Sequence, residues 1–223
     1  KLSTEMEASA IQNLSESLDL IESTIEAILN KDAEYQRLMA QEIAAVEEPE
    51  KYIQTYRDSQ TMVRISLIRS GETEGISSTG ESFTEAGLDF SAEGTVDGVA
   101  VSESYVNFMG TWAYTMKCPV IKNDKEIAML YIEYIYDSFE EALPRGFYNG
   151  SAMLYIMDAK TERFVLKPKG MGERSAGHVN LEDYYRANNI QEEDILAEVQ
   201  ESIRNGKNLM FYHDIRRKSA LNY

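Results

Sequence analysis

The sequence predicts an α+β fold, in which a long N-terminal helix is followed by antiparallel β-sheet with inserted helices. Three observations lead to this prediction. Apolar residues near the N-terminus recur every three or four positions, and the period changes to two from Thr61. The strands then follow one another as hairpins instead of alternating βαβ units. The length of 223 residues corresponds to one large domain or two small ones.

Composition and charge exclude several classes of function. Hydrophobic residues make up 43% of the chain and charged residues 27%, which is typical of a folded protein. The net charge of -16 argues against nucleic acid or an anionic membrane surface as a partner, because both attract clustered Lys and Arg. The single cysteine, Cys118, excludes an intrachain disulfide and a cysteine-based zinc site. We expect it to be a buried small side chain.

The first segment reads as an amphipathic helix from Ser3 to Leu29. Its apolar positions follow a 3-4 spacing: Ile11, Leu14, Leu18, Ile21, Ile25 and Ile28. We expect residues 30–32 to interrupt it, a second helix over 33–46 and, after Pro49, a short third helix over 50–59. The stripe leaves two packing modes open. It forms a seam between two parallel copies of the chain, or it lies on its own domain.

The next segment reads as strands. Residues 61–70 form one strand, and residues 79–98 form a polar loop in which Phe83, Leu88 and Phe90 indicate packing. Residues 112–134, WAYTMKCPVIKNDKEIAMLYIEY, form a hairpin with its turn at 122–125. A short helix follows and is ended by Pro144 and Gly146.

A second unit begins near Phe147. Two strands around the turn KTER precede two helices, and the chain then ends in a strand pair that it does not complete. The second unit is therefore expected to be truncated, and the chain to be a piece of a longer protein. No run of about 18 to 20 apolar residues is present to span a bilayer, and no signal peptide is visible.

Motifs for enzymatic chemistry are missing from the sequence. It contains neither G-x-G-x-x-G nor G-x-x-x-x-G-K-[ST], and two histidines with one cysteine provide no metal-ligand spacing. We therefore expect no cofactor, no bound metal and no catalysis by this fragment. A hydrolase is the least favoured alternative.

Three stretches resemble the double-Cache (tandem PAS-like) sensor domains of bacterial membrane receptors. They are VSESYVNF at 101–108, the hairpin and helix from Thr111 to Phe139, and AMLYIMDAKTERFVLKP at 152–168. The resemblance implies a long N-terminal helix with connecting helices over 1–60, a membrane-distal PAS-like ligand-binding module over 61–146, and a truncated membrane-proximal PAS-like module over 147–223. It also implies an extracytoplasmic (periplasmic or extracellular) location, a homodimer along the N-terminal helix, and attachment to the membrane only through segments outside this chain.

The same resemblance points to ligand-binding residues in the first module. Glu133 ends the last strand, where members of the family often carry an acidic residue that binds a ligand amine. Tyr105 and Asn107 stand where the amino-acid-binding members carry a tyrosine and an aspartate. The R-x-W-Y motif that holds the ligand carboxylate in those members has no counterpart, because residues 79–104 contain no arginine. The structural alternatives for Glu133 are an ion pair with Arg64 or exposure on an outer face.

An aromatic wall is the second prediction for this site. Trp112, Tyr114 and Met116 share one strand face, and Met129, Tyr131 and Glu133 share one on the partner strand. If both sets face inward, they suit a ligand with an apolar body and a cationic or hydroxyl end. The alternative is that these aromatic residues are core or packing surface for the long helix.

Two functions follow from these predictions. The first is a small-molecule sensor domain of a transmembrane signalling receptor, whether histidine kinase, diguanylate cyclase or chemoreceptor. Its ligand would carry a cationic group. The second is a dimerisation or protein-interaction module without a small-molecule ligand.

Overall fold

The computed structural model describes residues 2–56, 62–90, 94–143, 154–166, 180–187 and 193–205. The chain divides into two compact units, Lys1–Ala152 and Met153–Tyr223, each of which is considered separately. The first unit contains the long helix together with a large sheet. Within the described residues, no helix is both long and apolar enough to cross a bilayer.

The N-terminal helix, α1 (Leu2–Ala45), is continuous over 44 residues. The predicted interruption at residues 30–32 is wrong. Asn, Lys and Asp lower helix propensity only slightly, and neither Pro nor Gly is present there to break the backbone. Helix α2 (Pro49–Thr55) replaces the predicted third helix and has Pro49 in its first turn, where a missing N–H costs nothing. Residues 57–59 of that prediction lie outside the described part.

Eight strands form one sheet in the order β3-β2-β1-β8-β7-β5-β4, and β6 also pairs with β7. They are β1 (Met62–Arg69), β2 (Glu74–Ser77), β3 (Ser82–Thr84), β4 (Thr95–Val96), β5 (Val99–Val101), β6 (Tyr105–Val106), β7 (Trp112–Lys122) and β8 (Lys125–Ile135). Every pairing is antiparallel. The segment 79–98, predicted as loop, contains β3 and β4.

The hairpin between β7 and β8 turns where the sequence predicts. Lys122 pairs with Lys125, and Asn123 and Asp124 have φ angles of 52° and 60°. Two successive positive φ angles are characteristic of a type I′ turn, whose twist matches that of the flanking strands. Helix α3 (Asp137–Ala142) follows β8 directly.

The sheet has two distinct faces. The helix face lies under α1, where the buried Gln36 donates hydrogen bonds to the carbonyls of Met116 (2.8 Å) and Leu130 (3.1 Å). The opposite side, called the site face below, carries Arg64 on β1, Thr115 and Lys117 on β7, and Tyr131 and Glu133 on β8. The loop between β3 and β4 covers part of the site face, as the predicted packing of its apolar residues requires.

The second unit contains a short hairpin and two helices. Strand β9 (Ile156–Met157) pairs with β10 (Phe164–Leu166), and helices α4 (Leu181–Ala187) and α5 (Glu193–Arg204) follow. Asp158 caps the turn of the hairpin by accepting hydrogen bonds from the backbone N–H groups of Lys160 and Thr161. The strand pair predicted after residue 206 lies outside the described residues.

Candidate functional site

Glu133 is a buried carboxylate at the centre of the site face. It is 3% exposed and lies on β8 between its cross-strand neighbours Arg64 and Thr115. The Arg64 Nη2 atom is 3.5 Å from Glu133 Oε1. The ion pair that the sequence left as an alternative is therefore present. It satisfies part of the need of a buried carboxylate for partners.

Two residues of the β6 region complete the surroundings of Glu133. The Tyr105 hydroxyl donates a 2.6 Å hydrogen bond to Glu133 Oε1 and contacts Thr115 Oγ1 at 2.7 Å. Asn107 Nδ2 is 3.5 Å from Glu133 Oε2. Burial, together with the neighbouring Glu133 carboxylate, raises the pKa of Tyr105, so the phenol stays a hydrogen-bond donor. Tyr105, Asn107 and Glu133 thus lie together on the site face, and their binding of a ligand stays a prediction.

The side chain of Asn107 is held by the chain that follows it. Its Oδ1 atom accepts hydrogen bonds from the backbone N–H groups of Met109 (3.0 Å) and Thr111 (3.1 Å). This turn fixes the amide so that its NH₂ group points towards Glu133. An aspartate at this position would place a second negative charge beside the buried carboxylate.

The predicted aromatic wall is wrong in its geometry. Tyr114 pairs across the hairpin with Tyr134, and Thr115 pairs with Glu133. Tyr114 is 2% exposed and stacks with Tyr134 and Phe139 on the helix face, away from Tyr131 and Glu133. Trp112 is half-buried and shares the alternation of Tyr114. The alternative given by the sequence, that the aromatic residues belong to the core or pack against the long helix, is therefore correct for Tyr114.

A β-bulge causes this reversal. Next to the turn, Lys122 pairs with Lys125 and Ile121 with Glu126. Between Ile121 and Val120 the register shifts by one residue, so that Val120 pairs with Ala128. Without the shift, Tyr114 would lie opposite Glu133. Because side chains alternate along a strand, a one-residue shift moves every later side chain on one strand to the other face relative to its partner.

A second polar group lies next to Tyr131, two residues before Glu133. The hydroxyl of Tyr131 donates a 2.9 Å hydrogen bond to Glu85 Oε1, and Lys117 Nζ is 2.5 Å from the same oxygen. Lys117 Nζ also lies 4.3 Å from the centre of the Phe90 ring. Burial opposes ionisation of Glu85, but the bonds from Lys117 and Tyr131 outweigh it, so the pKa of Glu85 is lowered.

Sequence reasoning missed Thr115, Lys117 and Glu85 as members of this region. The period-two alternation of β7 puts Thr115 and Lys117 on one face, but only the register shows that this face is shared with Glu133. Glu85 lies in the loop between strands β3 and β4, where no periodicity constrains its position.

The apolar part of the site face is formed by Ile68, Phe83 and Tyr131, against which Leu88, Phe90 and Met129 pack. The loop that supplies Leu88 and Phe90 is tied down by a 2.7 Å hydrogen bond from the Glu103 N–H to the Asp89 carbonyl. A cleft of about 580 Å³ borders this cluster, with Glu85 and Tyr131 among its lining residues. Its volume is within the range of small-molecule sites. Glu133 is not part of its lining.

No protein-family model and no curated protein matches the sequence. Solved structures with the same fold include the sensory domain of the Campylobacter jejuni chemoreceptor Tlp3 with isoleucine bound, at 15% identity, a TM-score of 0.55 and coverage of 74% of this chain and 73% of that chain. The ligand-binding domain of the Pseudomonas aeruginosa amino acid chemoreceptor PctC in complex with GABA has 15% identity and a TM-score of 0.55, and the match covers 78% of this chain and 80% of that chain. The ligand-binding domain of the Pseudomonas fluorescens chemoreceptor CtaA in complex with L-serine has 11% identity and a TM-score of 0.57, and the match covers 80% of each chain.

These likenesses establish the class of fold. The chain has the Cache-type fold of bacterial chemoreceptor sensory domains, and the predicted α+β arrangement of a long N-terminal helix followed by antiparallel sheet is confirmed.

Proposed function

We propose that this chain is the extracytoplasmic small-molecule sensor region of a membrane-anchored bacterial signalling receptor, and that it is not itself an enzyme. Its ligand carries a cationic group that binds Glu133. The observation that carries the proposal is a buried carboxylate on the site face of a Cache-type sheet. The amino-acid-bound chemoreceptor domains of the same fold support it.

The hydrogen bonding of Glu133 leaves acceptor capacity on one of its two oxygens. Its Oε1 atom accepts from Tyr105 at 2.6 Å and lies 3.5 Å from Arg64. The contact described for Oε2 is longer and weaker, at 3.5 Å from Asn107 Nδ2. An ammonium group beside Oε2 would form a charge-assisted hydrogen bond, which is roughly twice as strong as a neutral one.

Binding at this site has a short route to the long helix. Gln36 of α1 is bonded to the carbonyls of Met116 and Leu130, which are the sequence neighbours of Thr115 and Tyr131. A ligand that displaces β7 or β8 from the site face would therefore also displace the carbonyl groups to which α1 is bonded on the helix face. The ligand would shift α1 only by binding one arrangement of helix and sheet better than the other.

A thermal-shift screen against amines, amino acids, nucleobases, organic acids and sugars tests this function. A ligand at about 100 times its Kd stabilises the fold by ~2.7 kcal/mol. We expect a hit among the cationic compounds that is lost in Glu133→Ala and kept in Glu81→Gln, which removes an exposed carboxylate. Hits confined to uncharged or anionic compounds, or no hits with a folded Glu133→Ala variant, would contradict the proposal.

A role in dimerisation is the second candidate, and a specific observation favours it. The first half of α1 exposes four large apolar side chains: Met6 (66%), Ile11 (51%), Leu18 (44%) and Leu20 (56%). Ile11 and Leu18 belong to the predicted seam. We expect Ile11→Glu with Leu18→Glu to weaken self-association in sedimentation equilibrium and to leave the ligand-induced thermal shift unchanged. Equal self-association of variant and wild type would exclude this surface as the seam.

A further inference from the structure

We propose that Lys117 is the anion-binding residue of the sensor site and that Glu85 occupies it, in the absence of ligand, as an internal substitute for a ligand carboxylate. The inference rests on the proposed function. It assigns specificity to a residue outside the Glu133 cluster. It also makes the loop between β3 and β4 respond directly to the ligand.

The register of the sheet places Lys117 next to the Glu133 cluster. Lys117 pairs with Tyr131, and the neighbouring pair on the same face is Thr115 with Glu133. Same-face residues are about 7 Å apart along a strand and paired strands about 4.8 Å apart, so the Cα atoms of Lys117 and Glu133 are roughly 8 Å apart. The long lysine and glutamate side chains, both on the site face, can therefore contact opposite ends of one small molecule.

Lys117 is fixed in place, whereas its partner is easily displaced. The Lys117 side chain is 23% exposed, its Nζ atom lies 4.3 Å from the Phe90 ring centre, and its strand is in the interior of the sheet. Glu85 is 42% exposed and belongs to a loop. Ion pairs with this much solvent access contribute little to stability, so a ligand carboxylate can replace the Glu85 carboxylate at low cost.

The other cations nearby already have partners. Arg64 lies beside Glu133, and Arg69 is bound to Glu50 at 2.6 Å. Since residues 79–104 contain neither arginine nor lysine, the covering loop itself offers no cation. Among the described residues, Lys117 is the cation paired across the sheet with Tyr131, and it contacts the Glu85 carboxylate and the Phe90 ring of the covering loop.

Displacement of Glu85 would also remove two of the contacts that hold residues 85–90 against the sheet. Glu85 accepts hydrogen bonds from both Lys117 and Tyr131, so one ligand carboxylate at Lys117 would compete for both contacts. Phe90 and Leu88 follow in the same loop and cover the apolar cluster. Binding of a ligand carboxylate to Lys117 would thus change the position of the loop residues that cover the site face.

Matched pairs of probes separate this inference from the proposed function. Each pair is an amino acid and the amine that lacks its carboxylate: γ-aminobutyric acid with propylamine, L-serine with ethanolamine, and L-valine with isobutylamine. Calorimetric titrations use wild type, Lys117→Met, Glu85→Gln, and Lys125→Met as the matched control, since Lys125 is exposed at the far end of β8.

For the amino acid of a binding pair, we expect Lys117→Met to weaken affinity roughly 10- to 100-fold, as loss of a charge-assisted hydrogen bond does. Glu85→Gln should strengthen it several-fold by removing the competitor, and Lys125→Met should have no effect. The amine of the pair should not respond to Lys117→Met.

Amino acid affinities unchanged in both Lys117→Met and Glu85→Gln, with binding still lost in Glu133→Ala, would overturn the role of Lys117 and leave the proposed function standing. Should Lys117→Met fail to fold, Glu85→Gln decides alone: unchanged or weaker binding overturns the inference. If neither member of any pair binds wild type, the proposed function for such ligands and this inference both fail.

Discussion

Replacing Asp32 by Asn should change how the stability of the first unit depends on pH. Asp32 lies on α1, one turn before Gln36, which bonds to the sheet. Burial raises the pKa of Asp32 to about 6 from an ordinary value of 3.8, and Lys31 lowers it only in part. Tyr114 and Tyr134 lie on the helix face of the sheet, which α1 covers. Their buried hydroxyls have no hydrogen-bond partner among the described residues.

The sign of the effect follows from proton linkage. Between pH 4 and pH 6 the folded state keeps the Asp32 proton that the unfolded state has lost, so stability falls as pH rises through this window and then levels off. A shift of about two pH units corresponds to ~3 kcal/mol. Because Asp32 retains partial solvent access, we expect a loss of about 1 to 2 kcal/mol.

Urea unfolding followed by circular dichroism at pH 4, 5, 6 and 7 measures this loss. Asp32→Asn should match wild type near pH 4 and exceed its stability by about 1 to 2 kcal/mol at pH 7. Glu34→Gln is the matched control, because it removes the same charge from an exposed position of the same helix and so reports the general effect of the net charge of -16. Parallel pH profiles for Asp32→Asn and wild type would show that the pKa of Asp32 is not raised in the folded state.

Two further substitutions test the packing around the site. Gly75→Ala should destabilise the first unit by at least about 2 kcal/mol, because the added Cβ would lie 1.8 Å from the Leu67 carbonyl oxygen. An unchanged midpoint of urea unfolding would contradict the pairing of β1 with β2. Gln36→Leu should cost about 1 to 3 kcal/mol, because the carbonyls of Met116 and Leu130 each lose a buried hydrogen bond; a midpoint equal to that of wild type would show that this link between helix and sheet contributes nothing.

Local patterns were sufficient to predict most elements of the first unit. The 3-4 spacing of α1, the alternation of β1 and the β7–β8 hairpin with its turn at residues 122–125 all correspond to the structure. The continuity of α1 through residues 30–32 was not predicted. Three polar residues weaken a helix locally, and the burial of the following Ala33 and Gln36, with the hydrogen bonds from Gln36 to the sheet, outweighs that loss.

The candidate site was predicted only in part, and the bulge explains why. Tyr105, Asn107 and Glu133 meet because β6, which Asn107 follows, pairs with the start of β7, and the end of β8 pairs with the same part of β7. The faces of Tyr114 and Tyr131 depend on a one-residue shift near Val120, and no feature of the sequence marks it. Loop residues such as Glu85 reach the site by tertiary packing, which leaves no periodic signal.

Calorimetric titration of wild type and Glu133→Gln with the tightest cationic compound from the screen tests the central claim most directly. Glutamine keeps the size of the side chain and an acceptor for Tyr105, so the comparison isolates the charge. We predict that Glu133→Gln weakens binding at least 10-fold while Glu81→Gln binds like wild type. Equal affinities for Glu133→Gln and wild type would contradict the claim, and would assign Glu133 to its ion pair with Arg64.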